Sequence, residues 1–147
     1  METRDLDKKI ANFWCPLGYV PGASPEELDE AERRIGFCLP SDLRRLLGLR
    51  DGGVSNYDLI GDLLFAPVRG VANRAGTGDI AELYLLGGVN ELPSKTVIFA
   101  ADANAWFALD YRISPKEPSV LHWSEYQETV VQLAPTFREF LEKLSSD

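Results

Sequence analysis

The feature that most constrains the fold is the segment 24–53, which marks the start and end of two short helices. Ser24 can cap a helix, Pro25 suits the first helical position, and Glu27 completes a capping box three residues after the cap. Apolar residues then recur at helical spacing as far as Gly36, which can adopt the left-handed conformation that ends a helix. The pattern therefore predicts a first helix between Ser24 and Gly36.

A second helix is predicted directly after Leu39-Pro40-Ser41. The residue before a proline is pushed out of the helical region, so the chain restarts here, and Ser41 can cap the helix that follows. The glycine turn at 51–53 ends this second helix. An opening helix or turn over 5–14 precedes both of them.

The later part of the chain predicts strands closed by a helix. Thr96 to Ala100 is β-branched and apolar, and Trp106 to Tyr111 follows after a short polar turn, as in a β-hairpin. Val120 to Trp123 predicts another strand. A second capping box at Thr136 opens a helix with an apolar stripe, which we expect to lie on the sheet.

Residues 54–93 allow more than one interpretation, because glycines interrupt their apolar runs. The sequence around Gly61 fits a strand or a strand pair, and Ile80 to Leu86 fits either a short helix or a strand. At 147 residues the chain is about one domain long. We therefore expect an α+β fold, a single domain over 1–147, whose central, mostly antiparallel sheet is packed by N-terminal helices and a C-terminal helix.

The order of these motifs resembles the SUKH superfamily, an α/β domain of fungal cell-wall regulators and of bacterial toxin-immunity proteins. Such a domain has an acidic first helix with a Glu near its end, then a Leu-Pro, then a short helix that runs into an Asp-Gly-Gly or Asn-Gly-Gly turn. The matching residues here are Glu32, Leu39-Pro40, Asp51-Gly52-Gly53, the paired strands 97–112, the strand 120–123 and the closing helix 136–141. The turn at 102–105 departs from the Asp-Gly-rich turn of many members, so a different turn type is expected within the same hairpin.

The resemblance implies a cytoplasmic immunity protein that binds and neutralises a cognate polymorphic toxin, such as a basic nuclease. The alternative that it leaves open is a regulatory or scaffolding protein-interaction domain with several cellular partners. Neither function requires catalysis or a cofactor, so we expect no enzyme activity and no bound cofactor.

The net charge of -8 supports a basic protein partner. An acidic surface repels phosphate backbones and attracts basic proteins, so nucleic acid is not an expected partner. General solubility is an alternative reason for the same charge. The sequence shows neither a span of about 18 apolar residues nor a basic-then-apolar leader, so we expect no membrane partner and a cytoplasmic location. The oligomeric state stays open.

Residues for catalysis or metal binding are scarce. His122 is the only histidine, and it falls in a predicted strand, where a structural role is expected. The loop 76–79 lacks the lysine of a phosphate-binding loop, and the calcium-like start at Asp102 lacks the glycine and glutamate that a calcium loop needs. Cys15 and Cys38 are expected to be reduced and buried as small apolar side chains. No metal site is predicted.

What remains is a protein-binding surface of aromatic and acidic residues beside the glycine turn and on the central hairpin. Aromatic side chains supply buried contact area, and carboxylates can replace the phosphates that a nuclease binds. Trp106 and Trp123 fit either this surface or the core, and Asp102 and Asn104 could also serve the turn alone. The candidate partner-binding residues are Asp51, Asn56, Tyr57, Asp58, Asp62, Asp102, Asn104, Trp106 and Asp110.

Overall fold

A computed structural model describes residues 2–146 of the chain. Over these residues the helices are α1 (Thr3–Ala11), α2 (Pro25–Ile35), α3 (Ser41–Leu49), α4 (Ile80–Leu85) and α5 (Phe137–Lys143). The strands are β1 (Leu59–Ile60), β2 (Leu63–Leu64), β3 (Thr96–Ala101), β4 (Ala105–Asp110), β5 (Ser119–Ser124), β6 (Val130–Ala134) and β7 (Leu144–Ser145). None of the helices within this described part has the length and apolar character that crossing a membrane requires.

The predicted capping box of α2 is confirmed. The Ser24 hydroxyl accepts a hydrogen bond from the Glu27 amide at 3.1 Å, and the Glu27 carboxylate accepts one from the Ser24 amide at 2.9 Å. Gly36 ends the helix with φ of 82°. The predicted cap of α3 is wrong, because Pro40 occupies the cap position and Ser41 is already the first helical residue. The N-terminus of α3 therefore has no side-chain cap hydrogen bond.

Two antiparallel sheets, with helices packed on them, confirm the α+β expectation. The larger sheet has the strand order β3-β4-β5-β6, and the smaller one has the order β2-β1-β7. The hairpin of β3 and β4 is confirmed, and so is a strand pair around Gly61. Residues 80–85 form a helix that Asp79 caps, which decides the alternative left open by the sequence. The edge strand β6 was not among the predicted strands.

The main core joins buried residues of α1, α2 and α3 to an aromatic cluster between the inner face of the larger sheet and α5. Phe99 and Phe107 on this face pack against Phe140 of α5, and Phe65 packs among all three. The ring centroids of Phe65 and Phe107 lie 5.1 Å apart in an edge-to-face arrangement. Burial of each such ring stabilises the fold by about 1.5–3 kcal/mol, which explains why α5 closes the sheet as expected.

The outer face of the larger sheet is covered only in part. Ile98 of β3 and Ala108 of β4 form a small second core with Leu92, which belongs to the loop after α4. Trp106 and Trp123 pack against the margin of this cluster and stay half-buried. The outer face therefore has a packed centre and a partly open end at the β3–β4 turn.

Candidate functional site

Asp51 lies in the interior, and a partner cannot reach it in this structure. Its side chain is 0 % exposed, and its carboxylate accepts hydrogen bonds from the backbone amides of Val71, Ala72 and Arg74 at 2.7, 3.1 and 3.1 Å. A Cβ atom at Gly70 would lie 2.5 Å from the same carboxylate, so the chain passes Asp51 closely where residue 70 is glycine. The double-glycine turn therefore positions a structural carboxylate, and we leave Asp51 out of the candidate surface.

Asp110 is also buried, with 7 % of its surface exposed. Its carboxylate accepts two hydrogen bonds from the Arg112 guanidinium, at 3.0 and 2.8 Å, and a third from the Arg112 amide. Burial acts to raise the pKa of Asp110, but the hydrogen bonds and positive charge of Arg112 outweigh it and hold this pKa below its ordinary value. The ion pair stabilises the end of β4 opposite the hairpin turn, so Asp110 also leaves the candidate surface.

Four candidate residues lie together beside the smaller sheet and the end of α1. The side-chain amide of Asn56 donates to the carbonyls of Asn12 and Trp14, at 3.0 Å each. Lys9 Nζ lies 5.1 Å from the centroid of the Tyr57 ring, so a cation of the protein itself covers this aromatic face. Asp58 is half-buried, and Asp62 is exposed in the β1–β2 turn.

The other three candidates meet at the β3–β4 turn. Asp102 Oδ1 accepts hydrogen bonds from the amides of Asn104 and Ala105, at 2.7 and 2.9 Å, so this carboxylate holds the turn while it remains exposed. The Asn104 carbonyl accepts a hydrogen bond from the Glu125 amide at 2.9 Å. This bond ties the β3–β4 turn to the start of the β5–β6 turn, and the two turns form one end of the sheet.

A row of apolar side chains crosses the outer face at this end. Trp106 and Trp123 are directly paired across β4 and β5, and their rings stack with centroids 4.8 Å apart and an interplanar angle of 21°. The pairing continues to Ala101 on β3 and to Val130 on the edge strand β6, which is 38 % exposed. We call Ala101, Trp106, Trp123 and Val130 the tryptophan row.

Three exposed carboxylates border the tryptophan row. They belong to Asp102, Glu125 and Glu128, and we call them the acidic rim. Asp102 follows directly after Ala101, and the Glu128 amide donates to the carbonyl of Ser124, the residue after Trp123, at 2.8 Å. Every residue from 125 to 132 is exposed, and Tyr126 among them is 80 % exposed.

Over the described residues 2–146, the acidic rim has no ion-pair partner, whereas several acids of the helical side are paired. Arginines pair with several acids of α1 and α2, for example Arg45 with Asp7 and Arg44 with Asp29, each at 3.0 Å. The segments 96–111 and 117–137 contain neither lysine nor arginine. Over residues 2–146, no ion pair engages a carboxylate of the acidic rim. This end of the sheet therefore presents uncompensated negative charge.

His122 lies inside the sheet, on the face opposite the tryptophan row. It is 2 % exposed, its ring lies 4.8 Å from that of Phe107, and its Nδ1 atom has no hydrogen-bond partner among the described residues. Burial lowers the pKa of His122, and the charge of Asp102 opposes this effect. Within residues 2–146, no three His, Cys, Asp or Glu side chains cluster in a way that could hold a metal ion. Cys38 is exposed, so its predicted burial is wrong, and Cys15 is half-buried.

The β6 side of this surface contains residues that the sequence did not predict as candidates. Glu125, Tyr126, Glu128 and Val130 were not among the candidates, because β6 was not predicted as a strand. The run Thr129-Val130-Val131 is β-branched and could have indicated it. Pro135, which cannot continue a strand ladder, follows the last strand residue.

The described elements define a small α+β protein with two antiparallel sheets and one exposed end that is acidic and aromatic. A sequence model of the SMI1 / KNR4 family (SUKH-1) matches residues 22–143, which is more than half of the chain. The protein therefore belongs to the SUKH-1 family, as its motifs indicated. A comparison with curated proteins found no match.

Proposed function

We propose that this protein is an immunity protein, which binds a cognate polymorphic toxin and neutralises it. Membership of the SUKH-1 family, matched over residues 22–143, is the observation that carries the proposal, because immunity proteins are among the members of this family. The protein acts by covering the toxin and needs neither catalysis nor a cofactor. It works as one domain over 1–147, in the cytoplasm, where the toxin would otherwise act.

The surface chemistry supports a basic toxin as the partner. The net charge is -8, and exposed carboxylates and half-buried tryptophans stand side by side at the end of the larger sheet. A nuclease domain binds phosphates through lysine and arginine, so carboxylates can occupy the same cations and keep nucleic acid out. The opposite charges also accelerate association, which favours rapid protection.

A growth assay tests this proposal. The protein is co-expressed with each small toxic domain that a neighbouring gene encodes, and a catalytically inactive form of the toxin serves as the control for expression. We expect growth to be restored against one of these toxins and to fail against toxins from unrelated gene neighbourhoods. No rescue against any neighbouring toxin would contradict the proposal.

A regulatory or scaffolding domain is the competing function, and an affinity purification separates the two. An immunity protein should retain one toxin-like domain in near-stoichiometric amount. Recovery of several housekeeping proteins without a toxin-like domain would favour the regulatory function instead.

A further inference from the structure

We infer that the acidic rim and the tryptophan row together bind an arginine- and lysine-rich segment of the partner protein, whose cations pack on the tryptophans and pair with the rim carboxylates. This inference rests on the proposed function in naming a toxin as the natural partner. It assigns the contact to the β3–β4 and β5–β6 turns and not to the surface around Tyr57.

The aromatic part of the surface suits a cation. Stacking covers one face of each indole, and the rings remain half-buried at the margin of the small outer core. A guanidinium or ammonium group is attracted to the electron-rich face of an aromatic ring, most strongly to that of tryptophan, so the cation would lie over a ring face that the stacking leaves uncovered. Tyr126 within the β5–β6 turn and Val130 directly after it are exposed and add apolar area, on which the aliphatic stem of an arginine or lysine can lie.

The negative charge at this end of the sheet favours a basic partner over nucleic acid or a second copy of the chain. The rim carboxylates have no ion pair within residues 2–146, while many acids of the helical side already pair with arginine. A nucleic acid would be repelled here. A second copy of the chain that met this surface symmetrically would bring its own acidic rim against it, so the charges disfavour a dimer as well. A basic protein segment is the occupant that satisfies both the carboxylates and the rings.

The other candidate surface lacks this complementarity. Lys9 already lies over the Tyr57 ring, and the Asn56 amide is engaged by two backbone carbonyls. A basic segment would have to displace a cation of the protein itself there. The hairpin end of the larger sheet requires no such displacement.

The test is a titration of the full chain with a hexa-arginine peptide, followed by the indole N–H resonances of the three tryptophans in ¹H–¹⁵N spectra. Trp14 is the internal reference, because its indole nitrogen donates to the Leu46 carbonyl at 2.8 Å, away from the rim. We expect saturable shifts for Trp106 and Trp123 and little change for Trp14. A hexa-glutamate peptide should leave all three resonances unchanged.

Two charge-matched triple variants separate a defined site from general attraction. The rim variant carries Asp102→Asn, Glu125→Gln and Glu128→Gln, and the control variant carries Asp5→Asn, Glu26→Gln and Asp62→Asn, three exposed acids elsewhere. We expect the rim variant to weaken peptide binding by about tenfold or more and the control variant by no more than about twofold. Equal weakening in the two variants, equal shifts at all three tryptophans, or no shift at any of them would overturn the inference. Unchanged urea-unfolding midpoints show that both variants fold.

The same variants distinguish this inference from the proposed function. If the wild-type protein and the rim variant protect cells from the toxin equally well, the binding surface is wrong and the immunity function stands. If the wild type binds hexa-arginine at the tryptophan row but protects against no toxin, the surface stands and the proposed function fails.

Discussion

Replacement of Asp51 by alanine should destabilise the fold severely, although this residue is polar and begins the turn after α3. The substitution removes a carboxylate that accepts hydrogen bonds from the amides of Val71, Ala72 and Arg74. The alanine side chain leaves the three amide donors facing a cavity, and the hydrogen bond of the Val71 amide is buried. Asp51 therefore connects the end of α3 to the loop 70–74 through contacts that water cannot replace at full strength.

The size of the effect follows from these three hydrogen bonds. A hydrogen bond to a charged group contributes about 1.5–3 kcal/mol, but neighbouring contributions are not additive, and water can reach the amides of Ala72 and Arg74 in part. We expect Asp51→Ala to lower the free energy of unfolding by about 3–5 kcal/mol. Asp51→Asn keeps one acceptor oxygen but directs an NH₂ group at amide donors, so we expect a loss of about 2–4 kcal/mol.

Urea unfolding, followed by far-ultraviolet circular dichroism, measures this loss. For an m-value of about 1–3 kcal/mol per molar urea, the expected change lowers the midpoint by at least about 1 M. Asp62→Asn is the matched control, because Asp62 is exposed in the β1–β2 turn and should change stability by less than about 0.5 kcal/mol. A loss of under 1 kcal/mol for Asp51→Ala would refute the structural role and return Asp51 to the list of surface candidates.

Three further predictions concern packing and pH. A Cβ atom at Gly22 would lie 1.9 Å from the Gly48 carbonyl oxygen, so Gly22→Ala should destabilise the fold by about 1–3 kcal/mol. A Cβ atom at Gly48, within α3, meets open space, so Gly48→Ala should stabilise the fold by about 0.5–1 kcal/mol. Equal urea-unfolding midpoints for the two variants would contradict this contrast. Hydrogen bonds from Arg74 and from the Ser24 amide lower the pKa of Glu27 to about 2 from its ordinary 4.5, so its contribution to stability is present above pH 4.5 and is lost as pH falls towards 2. Glu27→Gln should therefore be less stable than the wild type at neutral pH and approach it near pH 2, and a difference that does not change with pH would count against the ion pair. Burial lowers the pKa of His122 below 6.5, so the neutral ring is favoured in the folded state and the stability of the fold decreases as pH drops below 6.5. Titration of the His122 Cε1 proton by NMR should give a midpoint below 6.5. A midpoint at or above that value would be inconsistent with the buried position of the ring.

Local signals in the sequence were sufficient wherever neighbouring residues decide the structure. The capping box of α2 needs only Ser24 and Glu27, which lie within one helical turn, and both partners form the predicted hydrogen bonds. The β3–β4 hairpin likewise follows from two β-rich runs and a short turn. The prediction that Ser41 caps α3 failed by one position, because Pro40 itself occupies the cap position.

The candidate site depended on contacts between residues that are far apart in the sequence. Whether Asp51 faces solvent is decided by the amides of 71–74, about twenty residues later, and no local pattern indicates them. Trp106 and Trp123 share an outer face because β4 and β5 pair in a register that a shift of one residue would reverse. Because β6 was not predicted as a strand, Glu125 and Glu128 of the acidic rim were not recognised as neighbours of this face.

If this SUKH-1 protein neutralises a toxin by direct binding, as we propose, binding and inhibition should follow the same stoichiometry. The most direct measurement is the activity of the purified toxin domain encoded by a neighbouring gene, titrated with increasing amounts of the purified protein. We expect toxin activity to fall linearly and to be lost close to a one-to-one molar ratio. Full toxin activity in the presence of a tenfold molar excess of the protein would contradict this proposal.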